Sequence, residues 1–161
     1  MQIRPAAPRD AAAICAIYNH YVTETSITFE QEPLSVADMQ ARIEQVQAGY
    51  PWLVAERGGR VLGYAYATRW RSRAAYDFTV ESTVYVEHSA CGGGIGRPLY
   101  LALLAALREG GFHVVVGCIA LPNPGSIALH EKCGFEKAGH FRQVGRKFDQ
   151  WIDVGFWQIV L

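Results

Sequence analysis

The sequence is short of several things, and each shortage excludes a class of protein. No apolar run approaches the roughly 20 residues that cross a bilayer. The start, Met1-Gln2-Ile3-Arg4, carries no signal-peptide pattern, so a cytoplasmic location is expected. No charge excess exists: 15 Lys and Arg stand against 15 Asp and Glu, for a net charge of zero. The basic face of a general nucleic-acid binder is therefore missing. The four cysteines, Cys15, Cys91, Cys118 and Cys133, are widely spaced and form no Cys-x-x-Cys pair. Free thiols are expected rather than a zinc site or a disulfide framework. His20, His88, His113 and His140 show no metal-ligand spacing, so no metal is expected. Internal repeats, low-complexity runs and linkers are absent as well.

What is present is apolar substance for one core: half of the 161 residues are hydrophobic, and a single domain over residues 1–161 is expected. The chain is organised around residues 87–99, Glu87-His88-Ser89-Ala90-Cys91-Gly92-Gly93-Gly94-Ile95-Gly96-Arg97-Pro98-Leu99. The alternating Thr83-Val84-Tyr85-Val86 before it reads as a strand. Residues 99–107 after it read as a buried helix that stops at Gly110-Gly111. A glycine cluster between a strand and a helix N-terminus reads either as a plain turn or as a phosphate cradle, because first-turn N–H groups lack helical partners. Arg97 adds positive charge there, and Pro98 suits a first turn. No Gly-Lys-Ser/Thr follows, so the stretch is not a P-loop, and its glycine spacing does not match a dinucleotide fingerprint.

Residues 2–4 read as a strand and residues 11–18 as a helix with Asp10 at its start. Residues 23–29 read as a loop or irregular strand, and Ser35 with Asp38 makes a capping-box pattern for a helix to about residue 47. Residues 52–56 and 61–67 form a hairpin, residues 70–77 a polar basic loop, and residues 78–86 a long strand carrying Glu81. Residues 113–119 are a continuous apolar run, expected to be a buried strand parallel to the previous one. A short helix over residues 127–133 and strands over 135–141 and 152–160 complete the chain, the last two joined by a polar loop over 142–151. The fold class is α+β: a mixed, mostly antiparallel sheet flanked by helices, with one parallel crossover at the glycine turn. Such a crossover places ligands at the C-terminal ends of the strands.

These residues resemble a family. Val84-Tyr85-Val86, Gly94-Ile95-Gly96-Arg97 and Asn123-Pro124-Gly125-Ser126 through Gly134-Phe135 are similar to the GNAT superfamily of acyl-CoA N-acyltransferases, whose glycine signature is Arg/Gln-x-x-Gly-x-Gly/Ala. Tyr50 to Glu56, Ala75 to Phe78, Glu81 to Val86, Leu121-Pro122-Asn123 and Asp153 to Gln158 resemble the phosphinothricin and methionine sulfoximine/sulfone N-acetyltransferases within it. The likeness runs from about Arg4 to the C-terminus. In one departure Cys91 stands where the family usually has Arg or Gln, and Gly92-Gly93 replace basic or polar residues. Backbone donors then carry the pyrophosphate.

The resemblance implies an acetyl-CoA-dependent transfer of acetyl to the α-amino group of phosphinothricin, methionine sulfoximine or methionine sulfone, and herbicide resistance as a consequence. No metal takes part, and a homodimer is implied, with Trp151, Phe156 and Trp157 as an interface segment. On residue grounds alone Glu81 is a general base with a burial-raised pKa, or else a carboxylate on the solvent face or paired with Arg71 or Arg73. The resemblance favours the base. His130 is by itself a helix-surface histidine; the resemblance places it near the leaving sulfur as acid or proton relay. Val84, Tyr85 and Val86 would pair with the pantetheine arm, an N–H of Val84 or Tyr85 polarising the thioester oxygen. Gly92, Gly93, Gly94, Ile95, Gly96 and Arg97 would hold the pyrophosphate, with Asn123 and Ser126 contacting the cofactor. Phe29, Arg71, Arg73, Tyr76 and Glu81 would form the acceptor pocket, the arginine forks holding its acidic groups. Cys91 is not expected to act as a nucleophile. Two alternatives stay open: a GNAT enzyme acetylating a peptide N-terminus, polyamine or aminoglycoside, and a non-catalytic acyl-CoA sensor.

Overall fold

Three segments rich in β-branched and aromatic residues build the centre of the sheet. In a computed structural model, which describes residues 1–161, they are β2 (Trp52–Arg57), β3 (Arg60–Arg69) and β4 (Thr79–Val86). β1 (Gln2–Pro5) adds to the edge of β2. β5 (Val114–Ala120), β6 (Glu136–Lys147) and β7 (Gln150–Val160) complete a seven-stranded sheet of order β1-β2-β3-β4-β5-β7-β6. All pairings are antiparallel except β4 with β5. α1 (Ala11–Glu24) and α2 (Val36–Gln47) follow β1, α3 (Gly96–Glu109) makes the β4–β5 crossover, and α4 (Pro124–Lys132) follows β5. The mixed α+β sheet with one parallel crossover, read from the order of elements, is the fold of the chain.

Period-two alternation divides the core into two layers. Trp52, Val54 and Tyr64 face α1 and α2, where Ile14, Tyr18, Val22, Met39 and Ile43 are almost fully buried. Ala55, Ala65 and Ala67 face the other way, and their small side chains let α3 lie close with Leu99, Tyr100, Leu103 and Leu107. Ser35 accepts from the Asp38 N–H at 3.0 Å, as the capping pattern predicts. Asp10 sits at the start of α1, but its carboxylate accepts from the Ala7 N–H and from both terminal nitrogens of Arg4 instead of capping the helix. Arg4 holds it below its ordinary pKa.

The last hairpin departs from expectation. Residues 142–151, expected as a polar loop, form the ends of two long strands, closed by a turn in which Phe148 and Asp149 have φ of 50° and 57°. That turn contains neither Asn-Gly nor Asp-Gly, so its usual signal is missing. A register shift between Phe141 and Gly145, with Gln143 at φ 56°, breaks the alternation that would mark a strand. Trp157 is also corrected as an interface residue: it is 2% exposed and packs into the α3 layer. Its neighbours Phe156 and Trp151 do not share that burial, and Trp151 is 61% exposed.

Candidate active site

β4 and β5 pair only from Thr79↔Val114 to Ser82↔Gly117. Beyond that point β4 stays with β3 and β5 stays with β7, leaving a gap between parallel strands. Strand alternation decides what faces the gap. The Phe78 carbonyl accepts from His113 and Val114 on the β5 side, while the Glu87 N–H reaches Leu62 on the β3 side. Even-numbered residues of β4 therefore point their backbone groups toward β5, so the N–H and C=O of Val84 and the N–H of Val86 lie on the open edge. The Val86 carbonyl is taken by the Tyr21 hydroxyl at 2.6 Å. Of the two donors expected, Val84 faces the gap and Tyr85 faces β3.

A cleft of about 270 Å³ occupies the apex of the gap. It brings together Glu81, Val84, Tyr85, Asn123, Ser126, His130 and Phe29, all named from sequence and drawn from β4, from α4 with its N-cap residue, and from the α1–α2 loop. Glu81 has no cationic partner; burial raises its carboxyl pKa, and the neighbouring Cys118 thiol partly offsets the rise. Cys118 is in turn pushed up to about 12 by burial and the adjacent carboxylate. His130 is 4% exposed rather than on a helix surface. One ring nitrogen, Nδ1, lies 2.7 Å from the Ser126 carbonyl. A carbonyl only accepts, so Nδ1 carries the proton and Nε2 the lone pair. Burial pushes the His130 pKa down, which keeps the ring neutral. The ring rests on Gly117, where a Cβ would come within 2.5 Å of Nε2. Tyr100 meets it edge-on at 5.0 Å, its hydroxyl 2.6 Å from Ser82 Oγ.

The glycine turn serves packing as well as any ligand. Gly92 and Gly94 have φ of 80° and 74°, a region open to glycine. Gly93 approaches the Ala90 carbonyl, and a Cβ on Gly96 would sit 3.2 Å from Leu129 of α4. Ile95 is buried in the α3 layer, so only its backbone faces outward. Arg97 is exposed at the start of α3. The Asn123 side-chain oxygen caps α4 by accepting from the Ser126 N–H at 3.1 Å, leaving its amide NH2 for a ligand.

Arg71, Arg73 and Tyr76 are not brought to this cleft. All three are exposed; Arg71 and Tyr76 line a separate groove of about 360 Å³ over β5, β6 and β7, beside Thr79, Val116 and Phe156. An Arg69–Asp77 ion pair of 2.6 Å closes the base of that segment. Sequence reasoning also missed several lining residues: Tyr18, Thr28, Tyr66, Thr83, Cys118 and Ala120. Tyr18 and Thr28 hydroxyls lie 2.8 Å apart. Their helical and strand spacings mark them only as core, and Cys118 meets Glu81 only once the parallel pairing is known.

Comparison with known proteins adds to this geometry. The acetyltransferase (GNAT) domain family matches residues 3–155. A phosphinothricin N-acetyltransferase of Streptomyces viridochromogenes is 47% identical over 158 residues, covering 98% of this chain and 86% of the relative. An L-methionine sulfoximine/L-methionine sulfone acetyltransferase of Pseudomonas aeruginosa is 41% identical over 99% of this chain and 94% of its own. Among solved structures, a ribosomal-protein-alanine N-acetyltransferase from Brucella melitensis superposes with a TM-score of 0.97 at 39% identity, covering 100% of both chains. A GNAT phosphinothricin acetyltransferase from Sinorhizobium meliloti in complex with acetyl-CoA superposes with a TM-score of 0.95 at 38% identity, over 99% of this chain and 88% of that one.

Proposed function

The chain belongs to the GNAT acetyltransferase family, and on that premise we propose that it transfers acetyl from acetyl-CoA to the α-amino group of a small amino-acid analogue. Phosphinothricin, methionine sulfoximine and methionine sulfone are the leading acceptors, and residues 1–161 act as one catalytic domain. The observation that carries the reading is Glu81: an unpaired carboxylate, raised by burial, in the cleft beside the unpaired edge of β4.

Acetyl-CoA supplies the thioester; its C–S bond breaks as a C–N bond forms to the acceptor amine. The open N–H of Val84 suits it as the donor to the carbonyl oxygen, and the edge of β4 from Thr83 to Val86 suits an added strand. Backbone N–H groups of Gly92 and of Gly94 to Arg97 would hold the pyrophosphate at the start of α3, assisted by Arg97, while the Gly93 N–H closes the turn onto the Ala90 carbonyl, and the Asn123 amide and Ser126 would hold the arm. Glu81 takes the proton released by the amine, directly or through a water. His130, neutral with its lone pair on Nε2, is set to accept and pass on a proton rather than to begin as an acid. Transfer is direct from the thioester to the amine, with no acyl-enzyme; burial and the adjacent carboxylate both disfavour a Cys118 thiolate.

Phe29 forms a wall of the cleft, as expected of a residue that binds the acceptor. The part of Arg71, Arg73 and Tyr76 depends on assembly. α1 and α2 leave the β5–β7–β6 half of their sheet face bare, and Phe141 and Val160, which strand alternation places on that face, are each 56% exposed. We assign that face to a homodimer, which would cover the Arg71–Tyr76 groove next to the cleft. Sedimentation should give twice the chain mass of 17.8 kDa, and a single-chain mass would overturn the assignment. A cytoplasmic location fits four free thiols, and no helix is long and apolar enough to cross a membrane.

The Brucella structure supports a second acceptor, a peptide α-amine. Thiol release from acetyl-CoA decides between them. Turnover confined to phosphinothricin, methionine sulfoximine and methionine sulfone is expected. Turnover only on an alanine-terminated peptide, spermidine or an aminoglycoside would overturn the acceptor assignment, and acetyl-CoA binding without any thiol release would favour a sensor.

A further inference from the structure

One wall of the cleft has no regular structure. Between α1 and α2, Ile27, Thr28 and Phe29 line it, held by side chains instead of a helix or strand ladder. Thr28 Oγ1 meets Tyr18 at 2.8 Å, and Glu30 takes two bonds from Arg42 at 2.6 and 3.2 Å. The ends of the loop are tied to α1, by Thr25 Oγ1 donating to the Tyr21 carbonyl at 2.7 Å and by the Asn19 amide bonding both the N–H and the carbonyl of Leu34, but the Thr28 carbonyl is held from the far end of the chain. Lys147 Nζ donates to the Thr28 carbonyl at 2.8 Å, across 119 residues of sequence. Lys147 is only 3% exposed, and an ammonium is expensive to bury without a directed partner. Two residues earlier, Gly145 is also buried, and a Cβ on it would come within 2.4 Å of the Phe29 ring. The turn at Phe148–Asp149 closes the hairpin immediately after Lys147.

We propose that Lys147, with Gly145, is a positioning residue for acceptor binding: together they clamp the α1–α2 loop so that Thr28 and Phe29 form the acceptor side of the cleft. A buried apolar side chain at 147 would fill space equally well. Only a donor fixes the Thr28 carbonyl, and that carbonyl sets the direction in which the Phe29 ring leaves the backbone. The inference rests on the reading that the cleft takes a small amine acceptor, but the clamp itself has a readout that needs no acceptor.

The test uses the full chain with Lys147→Met, which keeps the stem and removes the donor, Lys147→Arg, which restores one, and Gly145→Ala, which pushes against Phe29 without touching the lysine. Lys147→Met and Gly145→Ala should raise the acceptor KM about tenfold or more, with kcat within about threefold and acetyl-CoA KM unchanged, as expected of a misplaced wall. Lys147→Arg should recover most of the loss. In Lys147→Met the amides of residues 27–30 should exchange with deuterium faster than in the wild type, while those of β4 and β5 stay protected. Unchanged acceptor KM and unchanged exchange at 27–30 would overturn the proposal. Parallel losses in acetyl-CoA KM, kcat and Tm would overturn it too, because they describe a general structural role. If the wild type acetylates none of the acceptors, the acceptor reading falls, and exchange at 27–30 still decides the clamp.

Discussion

Glu81→Gln is expected to lower kcat by roughly 10²- to 10⁴-fold, the usual contribution of a positioned general base, while acetyl-CoA KM stays near the wild-type value. The substitution keeps the shape and the hydrogen-bond acceptor facing Cys118, and removes only the capacity to take a proton. Burial is the main influence on this carboxyl, and the neighbouring Cys118 thiol opposes it. Its pKa therefore lies above the ordinary value near 4.3. The sign of the pH dependence follows: the base must be ionised, so kcat/KM of the wild type falls as pH drops through the raised pKa, and the acid limb begins above the ordinary carboxylate range. Glu81→Gln should lose that limb along with the rate. A variant within threefold of wild type, or one with an unchanged acid limb, would remove Glu81 from the mechanism and leave His130 as the base to test.

Gly117→Ala should damage both stability and turnover. The new methyl carbon would lie 2.5 Å from His130 Nε2 and 2.6 Å from its Cδ2, distances no real Cβ keeps. The ring cannot simply step back, because Nδ1 is tied to the Ser126 carbonyl and Tyr100 and Phe135 pack against its faces. Overpacking of this kind costs about 1–3 kcal/mol. At about 2–4 °C per kcal/mol for a chain of this size, Tm should fall by roughly 2–12 °C. Turnover should fall with it, since His130 leaves the last paired rung of β4 and β5. A double-mutant cycle separates the clash from a backbone effect. In a His130→Ala background the same Gly117→Ala change should cost little, because the two residues couple through contact. Equal costs in both backgrounds would show that Gly117 is needed for its own backbone and not for the histidine.

Much of the chain was legible in its residues. Local chemistry marks the capping box at Ser35 and Asp38, the hairpin of β2 and β3, the apolar run of β5 and the glycine turn that opens α3. Each of these depends on neighbours a few residues away, so pattern and spacing suffice. The order of those elements was enough to imply a mixed sheet with one parallel crossover. The strands over 135–141 and 152–160 were legible, but their continuation through residues 142–151 was not, because the register shift between Phe141 and Gly145 breaks the alternation and the turn uses Phe148 and Asp149 in place of glycine or asparagine.

The site divides along the same line. Glu81, His130 and Asn123 were named from sequence, yet nothing in the residues says that they face one cleft. Only the tertiary structure decides that β4 and β5 part after Ser82 and Gly117, which leaves the Val84 N–H unpaired and sets it beside Glu81. Pairing likewise put Cys118 against Glu81, and a contact across 119 residues put Lys147 under Thr28. The same geometry sent Arg71 and Tyr76 to a neighbouring groove. The reason is physical: helix and strand periods are properties of a segment, whereas the partner of a buried charge or an open strand edge depends on which distant segments pack together.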